Sequence, residues 1–376
     1  MCLKRCIFHF YFICITTNIC FAQRSFTSIS FYSGYGSVVQ HTSKIGNLIE
    51  ERPFFLELNL FRPSSGYYKW HRINHFPDYG LCLNFETLGN REKIGNSIAA
   101  APYLEFPFIN KEKNILFKLK MAWGLAYITK PYDTETNHKN IAIGTHLNTF
   151  IQFRFLWQIR ISPFLNFNPN ITFIHVSNCR FAVPNLGINT LYPSIGITYK
   201  WKEIQRYSIA QDSSSDKKTK HELLFFTGIG VNEVEPPTGN KLWALSIGGN
   251  YYFNIHQNQQ LGTGIDAFYE QSLSYELRKN DTDAVHFDFN TTFSTGIKFC
   301  YAYNFGRLTP ILEMGYYLYT PTQTFPNGRL YHRLGCRYYF RNNLIAHFSL
   351  KTHFAVAYHI EVGIGYRIGL KKTSIY

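Results

Sequence analysis

Over nineteen residues, from Phe287 to Phe305, the chain sustains a period of two, with Thr291 and Thr295 on its apolar row and Cys300 and Ala302 on its polar and small one. Odd positions carry Phe287, Phe289, Phe293, Ile297, Phe299, Tyr301 and Tyr303, and even positions carry Asp288, Asn290, Ser294, Lys298 and Asn304. Successive side chains of a strand point to opposite faces, so a period of two over this length predicts a strand with one apolar, aromatic face and one polar face. Half-buried strands of soluble proteins rarely run so far. A second such run sets Leu245, Ile247, Tyr251, Phe253 and Ile255 against Ser246, Gly248, Asn250 and Asn254. Beyond residue 22 no stretch approaches the ~20 consecutive apolar residues that a membrane helix needs, so a spanning structure has to be built of strands. Apolar-out, polar-in strands of about ten or more residues are what a lipid-spanning barrel requires. The expectation is an all-β fold, a transmembrane antiparallel up-and-down β-barrel.

The aromatic content of 18% agrees with such a barrel, which wears girdles of Tyr, Trp and Phe at the two membrane interfaces. At the N-terminus, Lys4 and Arg5 precede an apolar stretch from Ile7 to Phe21 that ends in Cys20-Phe21-Ala22. This reads as a secretory signal, residues 1–22, cleaved after Ala22. The stretch is short and interrupted by Thr16, Thr17 and Asn18, which argues against an N-terminal anchor, and Cys20 lacks the small residues expected before a lipidated cysteine. An exported barrel of this type belongs in the outer membrane of a Gram-negative bacterium.

Cys2, Cys6, Cys14 and Cys20 leave with the signal, and Cys82, Cys179, Cys300 and Cys336 are widely spaced with no Cys-x-x-Cys pair. Neither a zinc site nor a disulfide framework is indicated, and no metal is expected. The formal charge of +14 falls to about +12 without Lys4 and Arg5 and suits a partner rich in phosphate. For an exported chain that partner is anionic lipid rather than nucleic acid.

Strands are expected near 242–256, 260–277, 285–304, 308–318, 329–341, 343–353 and 358–370. Short connections at His256-Gln257-Asn258, Phe305-Gly306-Arg307 and Asn342-Asn343 belong on the periplasmic side, with longer loops outside. Counting back to Thr27 gives an even total of roughly 14 to 16 strands, taken as a single barrel over residues 23–376. Two features fit that topology poorly. The polar run Gln211 to Lys220 falls on the short-turn side, where it reads as a flexible connection, and the connection near 354–357 is short where a longer one is expected.

His-x-Ser occurs three times, at His41/Ser43, His175/Ser177 and His347/Ser349, so only orientation can distinguish the pairs. Leu344, Ala346, Phe348 and Leu350 form the apolar row of their strand, which sends His347 and Ser349 to the lumen as polar lining. His41 and Ser43 fall in a loop after the first strand. For His175 and Ser177 the apolar row is Leu165, Phe167, Ile171 and Phe173, and the same parity carries the pair to the membrane face. On the following strand Leu191, Ile195, Ile197, Tyr199 and Trp201 are apolar, and their parity reaches back to Asn189. Three polar side chains therefore converge on the outer face of one hairpin, a cost that packing alone does not explain. Residues i and i+2 share a strand face at about 6.6 to 6.8 Å between Cα atoms, within reach for an imidazole and a hydroxyl. Nothing else in the chain offers a comparable nucleophile and base.

The run Phe173-Ile174-His175-Val176-Ser177-Asn178, followed by Pro184-Asn185-Leu186-Gly187-Ile188-Asn189, resembles the outer-membrane lipid A 3-O-deacylases. The resemblance implies a serine esterase that removes an ester-linked acyl chain from lipid A, with His175 as base, Ser177 as nucleophile and Asn178 helping to stabilise the oxyanion. Pro184, Asn185 and Gly187 support the motif. It further implies lipopolysaccharide of the outer leaflet as substrate, no cofactor and no nucleic-acid partner, and is compatible with a homodimer. The chain departs from the family where a Glu orients the histidine, since Asn189 stands there. An amide oxygen can hold the imidazole tautomer but cannot stabilise an imidazolium by charge. The rival reading from another class is a non-catalytic outer-membrane pore or transport barrel.

Overall fold

The computed structural model describes residues 26–108, 114–207, 221–234, 237, 239–277, 287–321, 329–354 and 356–370. The expected signal and the run Gln211 to Lys220 lie outside them.

The described residues form antiparallel strands that close into two separate rings of eight staves. In the first ring β1 (Ser28–Tyr35) and β2 (Ser37–Val38) make one stave interrupted at Gly36. Then follow β3 (Phe54–Pro63), β4 (Asp78–Thr87), β5 (Asn96–Pro107), β6 (Ile115–Ile128) and β7 (Leu147–Arg160). β8 (Leu165–Phe167) and β9 (Asn170–Ser177) share the seventh stave, and β10 (Ile188–Lys200) is the eighth. The ring closes where β10 pairs with β1, from Ser28 opposite Lys200 to Gly34 opposite Ser194.

The second ring holds β11 (His221–Asn232), β12 (Leu242–Asn254), β13 (Gln259–Glu270), β14 (Phe293–Tyr303), β15 (Leu308–Tyr319), β16 (Leu330–Tyr339), β17 (Leu344–His353) and β18 (Val356–Leu370). It closes between β18 and β11, from His221 opposite Leu370 to Val231 opposite Ile360. Short helical turns α1 (Ser43–Gly46), α2 (Lys69–Ile73), α3 (Gln271–Leu277) and α4 (Phe289–Thr292) lie in the connections.

The expectation of one barrel over 23–376 is corrected here. The even count and the inside–outside parity hold, but the strands close as two rings of eight. Alternation specifies the two faces of a sheet and is blind to which edges meet. The ill-fitting run at 211–220 falls between the rings, linking β10 to β11. The short connection at the end of β17 is present, its register shifting between Lys351 and Thr352.

The outer faces are apolar: Ile195, Ile197, Ile247 and Ile364 are each more than half exposed. No described helix is long and apolar enough to cross a membrane. An eight-stranded barrel has an interior just wide enough for side chains to fill, and both interiors are filled. In the first, Glu57 accepts from Lys120 Nζ at 2.6 Å and Arg154 Nη1 at 2.8 Å, all three fully buried. Lys118 pairs with Asp78 at 2.6 Å and Glu105 at 3.1 Å. In the second, Arg333 reaches Asp266, Glu313 and Glu361 within 3.1 Å, and Lys298 and Arg337 also bind Glu313. Toward the extracellular end of the first barrel these charges give way to an apolar cluster that includes Ile94, Ile128, Phe150, Ile174, Val176 and Ile188. That cluster explains why Ile174 and Val176 break the polar parity of their strand: they cap the interior.

The long alternating run is shorter as a strand than expected. β14 begins at Phe293, and residues 289–292 turn instead as α4, because Asp288 O accepts the backbone N–H groups of Thr291 and Thr292. Phe289 then stacks on Phe293 at 4.5 Å, a helical i,i+4 pair. Likewise β13 stops at Glu270 and passes into α3, where a strand to residue 277 was expected.

The barrels meet through outward side chains. Trp123 of β6 packs on Phe348 of β17 at 5.1 Å, and near the periplasmic end Phe305 meets Phe106 at 5.3 Å while Tyr303 Oη donates to Asn74.

Candidate active site

β9 and β10 pair so that Asn189 stands directly opposite His175. Both point outward, as parity requires, at the extracellular end of the first barrel. His175 Nδ1 lies 2.7 Å from Asn189 Oδ1, and His175 Nε2 lies 2.9 Å from Ser177 Oγ. The geometry is that of a hydroxyl, an imidazole and an orienting acceptor in line. Instead of standing bare on the barrel wall, Ser177 is 5% exposed, covered by the loops around it.

The covering loop, residues 178–187, is tied to the strand end. Asn178 N–H donates to Asn185 Oδ1 at 3.0 Å, and Asn178 Oδ1 accepts from Ala182 N–H at 3.5 Å. Asn178 Nδ2 is buried and finds no acceptor among the described residues. The Val183–Pro184 peptide bond is cis. Gly187 has φ of +75°, a conformation that strains any residue with a side chain, and a Cβ there would crowd His175 Cε1 at 3.1 Å and Ser177 Cβ at 3.2 Å. Gly187 N–H is held by Ala142 O at 2.9 Å. Each residue expected to support the motif thus has a place in the loop.

One residue escaped sequence reasoning. His41, exposed in the loop after β2, has its Nδ1 3.1 Å from Asn189 Nδ2. An amide nitrogen only donates, so His41 accepts there and Asn189 Oδ1 is left for the Nδ1–H of His175. His175 Nε2 is then bare to accept from Ser177. The signal available beforehand was His41 itself, and nothing in its spacing connects it to a residue 148 positions away.

The lumenal pair differs in kind. His347 Nε2 lies 2.9 Å from Ser349 Oγ, and Glu361 follows Ser349 by twelve residues, as Asn189 follows Ser177. Arg337 Nε, however, donates to His347 Nδ1 at 3.2 Å, which puts the imidazole proton on Nε2, and Ser349 donates to Glu361 at 2.9 Å. A histidine protonated toward the serine cannot take its proton. Fully buried among the charges of the second interior, the pair is part of the packing, in keeping with its polar lining role.

An eight-stranded membrane barrel carrying a hydroxyl–imidazole–amide relay on its outer wall belongs to the class of outer-membrane ester hydrolases. Residues 56–198 match the family model described as lipid A 3-O-deacylase (PagL), and residues 221–372 match that of the acyloxyacyl hydrolase C-terminal domain. The chain belongs to the lipid A 3-O-deacylase family, and its place is the Gram-negative outer membrane. Among solved structures it is similar to the outer-membrane enzyme PagL at 17% identity, covering 46% of this chain and 98% of that one with a TM-score of 0.32. Neisserial surface protein A is matched at 7% identity over 46% and 96%, with a TM-score of 0.31. A Rh. blastica porin mutant is matched at 10% identity over 90% and 99%, with a TM-score of 0.18. No curated protein matches the chain.

Proposed function

We propose that this chain deacylates lipid A through Ser177, and that Asn189 serves as the orienting group in place of the family's carboxylate. The observation that carries the reading is the continuous relay from Asn189 Oδ1 through His175 to Ser177 Oγ, with both separations under 3 Å. His175 Nε2 takes the hydroxyl proton as Ser177 Oγ attacks the ester carbonyl. The tetrahedral intermediate collapses by expelling the sugar hydroxyl, which receives that proton from His175. Water then attacks the acyl-enzyme with His175 again as base, releasing the fatty acid and regenerating Ser177. Asn178, next to the nucleophile in sequence, keeps a buried Nδ2 with no acceptor among the described residues and supplies that donor to the developing oxyanion.

The site's outward position lets an acyl chain arrive laterally from the bilayer. A cleft of about 310 Å³ lined by Lys44, Lys93 and Lys139, with Asn47, Leu48 and Ile141, opens beside the same loops and suits an anionic sugar headgroup. The two packed interiors count against the pore reading.

Mass spectrometry of lipid A from a host with intact acyl chains, expressing this protein or its Ser177→Ala variant at matched levels, tests the proposal. Loss of one hydroxyacyl chain with the unmutated protein alone is expected. Unchanged lipid A in both, with the barrels shown to be folded, would overturn it.

A further inference from the structure

Two consecutive non-glycine residues of the covering loop, Cys179 and Arg180, lie in the left-handed region, with φ of 54° and 66°. Such backbone persists only where its surroundings over-determine it. Much of what holds this stretch comes from the other barrel. Glu233 N–H donates to Arg180 O at 3.1 Å, and Lys241 Nζ donates to Phe181 O at 2.6 Å. Lys241 also pairs with the buried Glu233 carboxylate at 2.8 Å and sits 4.6 Å from the centre of the Phe181 ring. Glu233 in turn accepts from Gly239 N–H at 2.7 Å. From the other side, the Arg180 guanidinium is 3.6 Å from Glu276 on α3 and 5.6 Å from the Tyr358 ring on β18.

We propose that the second barrel is a buttress for the site on the first, with Lys241 and Glu233 clamping residues 180–181 so that Asn178 presents its amide nitrogen to the reacting ester. This rests on the deacylase reading of Ser177. The link between clamp and chemistry is short. Phe181 N–H donates to Asn178 O at 3.1 Å, and Ala182 N–H, one residue beyond the clamped carbonyl, donates to Asn178 Oδ1. An amide held by its oxygen offers its nitrogen elsewhere. Release of Phe181 O removes the constraint on Ala182, and the Asn178 amide is then free to rotate and lose its donor orientation. Lys241 is therefore a positioning residue, acting on the transition state through a loop it does not share a barrel with. Other contacts between the barrels among the described residues, at Trp123–Phe348, Phe106–Phe305, Trp70–Phe305 and Tyr303–Asn74, do not touch this loop.

The test uses the full chain in four forms: unmutated, Lys241→Ala, Lys241→Arg and Tyr303→Phe, each confirmed as folded by heat-modifiable migration. Two readouts are taken, kcat and KM for lipid A deacylation and hydrogen exchange of the amides in 178–187. Lys241→Ala is expected to lower kcat by about tenfold or more, a part of the effect of losing an oxyanion donor, with KM nearly unchanged and faster exchange in the loop. Lys241→Arg, which keeps a cation within reach of the carbonyl and of Glu233, should recover most of both. Tyr303→Phe, a barrel–barrel contact remote from the site, should change neither. Unaltered exchange in the Lys241→Ala loop would overturn the clamp, as would an equal loss of kcat in Tyr303→Phe. An unmutated protein that fails to deacylate while Lys241→Ala still loosens the loop would overturn the catalytic reading and leave the clamp standing.

Discussion

Asn189 makes two hydrogen bonds with one amide, and the direction of each depends on the other. If His41 accepts from the nitrogen, the oxygen faces His175 and the imidazole proton sits on Nδ1. Without His41, nothing on that side distinguishes the two ends of the amide. A rotated Asn189 would donate to His175 Nδ1 and drive the proton to Nε2, the tautomer seen at the inert His347. His41→Ala is therefore expected to lower kcat by roughly five- to tenfold, the equivalent of about 1 kcal/mol for one hydrogen bond. A carboxylate has two equivalent acceptors and no wrong way round, so in an Asn189→Glu background the same change should have little effect. Equal losses in both backgrounds, measured as kcat on lipid A, would show that His41 acts on something other than the amide. The convergence of His175, Ser177 and Asn189 was legible in the sequence, because strand parity fixes which side chains share a face. His41 was not, because a loop residue carries no periodicity and its approach to Asn189 is set by tertiary closure. The cover over Ser177 was also hidden, since parity says which way a side chain points and nothing of what lies above it.

At the scale of the element, each stave follows two instructions, one for the membrane and one for the interior. The outward instruction was plain throughout, but alternation alone does not say where a strand ends. The run from Phe287 keeps its period of two through Thr292, yet Asp288 offers a backbone carbonyl to two N–H groups and the chain turns helically there. Local hydrogen bonding of this kind competes with the ladder and is invisible to a hydropathy pattern. The inward instruction is electrostatic. Glu57 on β3 is the partner of Lys120 on β6 and Arg154 on β7, and also accepts from Asn59, Asn84 on β4 and Gln152, so five side chains from four strands meet on one carboxylate. Removing it strands two buried cations, a loss on the scale of about 3–5 kcal/mol for breaking a buried pair. Glu57→Ala should thus shift the urea midpoint of the first barrel, followed by gel mobility, well below that of the unmutated protein. An unshifted midpoint would mean that water enters and solvates the cations, and that the interior is looser than its packing implies.

The number of rings is a property of the whole molecule, and it is where sequence reasoning went astray. Sixteen staves with correct parity satisfy one large barrel or two small ones equally well, since both present apolar residues outward and polar residues inward. What separates them is the size and charge of the inward residues. A barrel of sixteen strands leaves an aqueous channel, whereas one of eight is filled by its own side chains. Asp266, Glu270, Glu313 and Glu361 balance Lys298, Arg333, Arg337 and Lys351 entirely within the second half, and these long side chains meet partners across the interior. A wide lumen would have left them in water, where paired charges contribute little. The linker between Lys200 and His221 is the other trace of the division, its polar run from Gln211 to Lys220 fitting poorly into a single ring. Because no strand of one ring pairs with a strand of the other among the described residues, the membrane sees two closed, plugged cylinders held side by side. Reconstituted into planar bilayers, the folded protein is expected to give no stepwise conductance, while the same preparation removes acyl chains from lipid A. Stable porin-like steps would instead require the rings to open onto one another, and with them both the buttress at Lys241 and the packed interior around Glu57 would have to be abandoned.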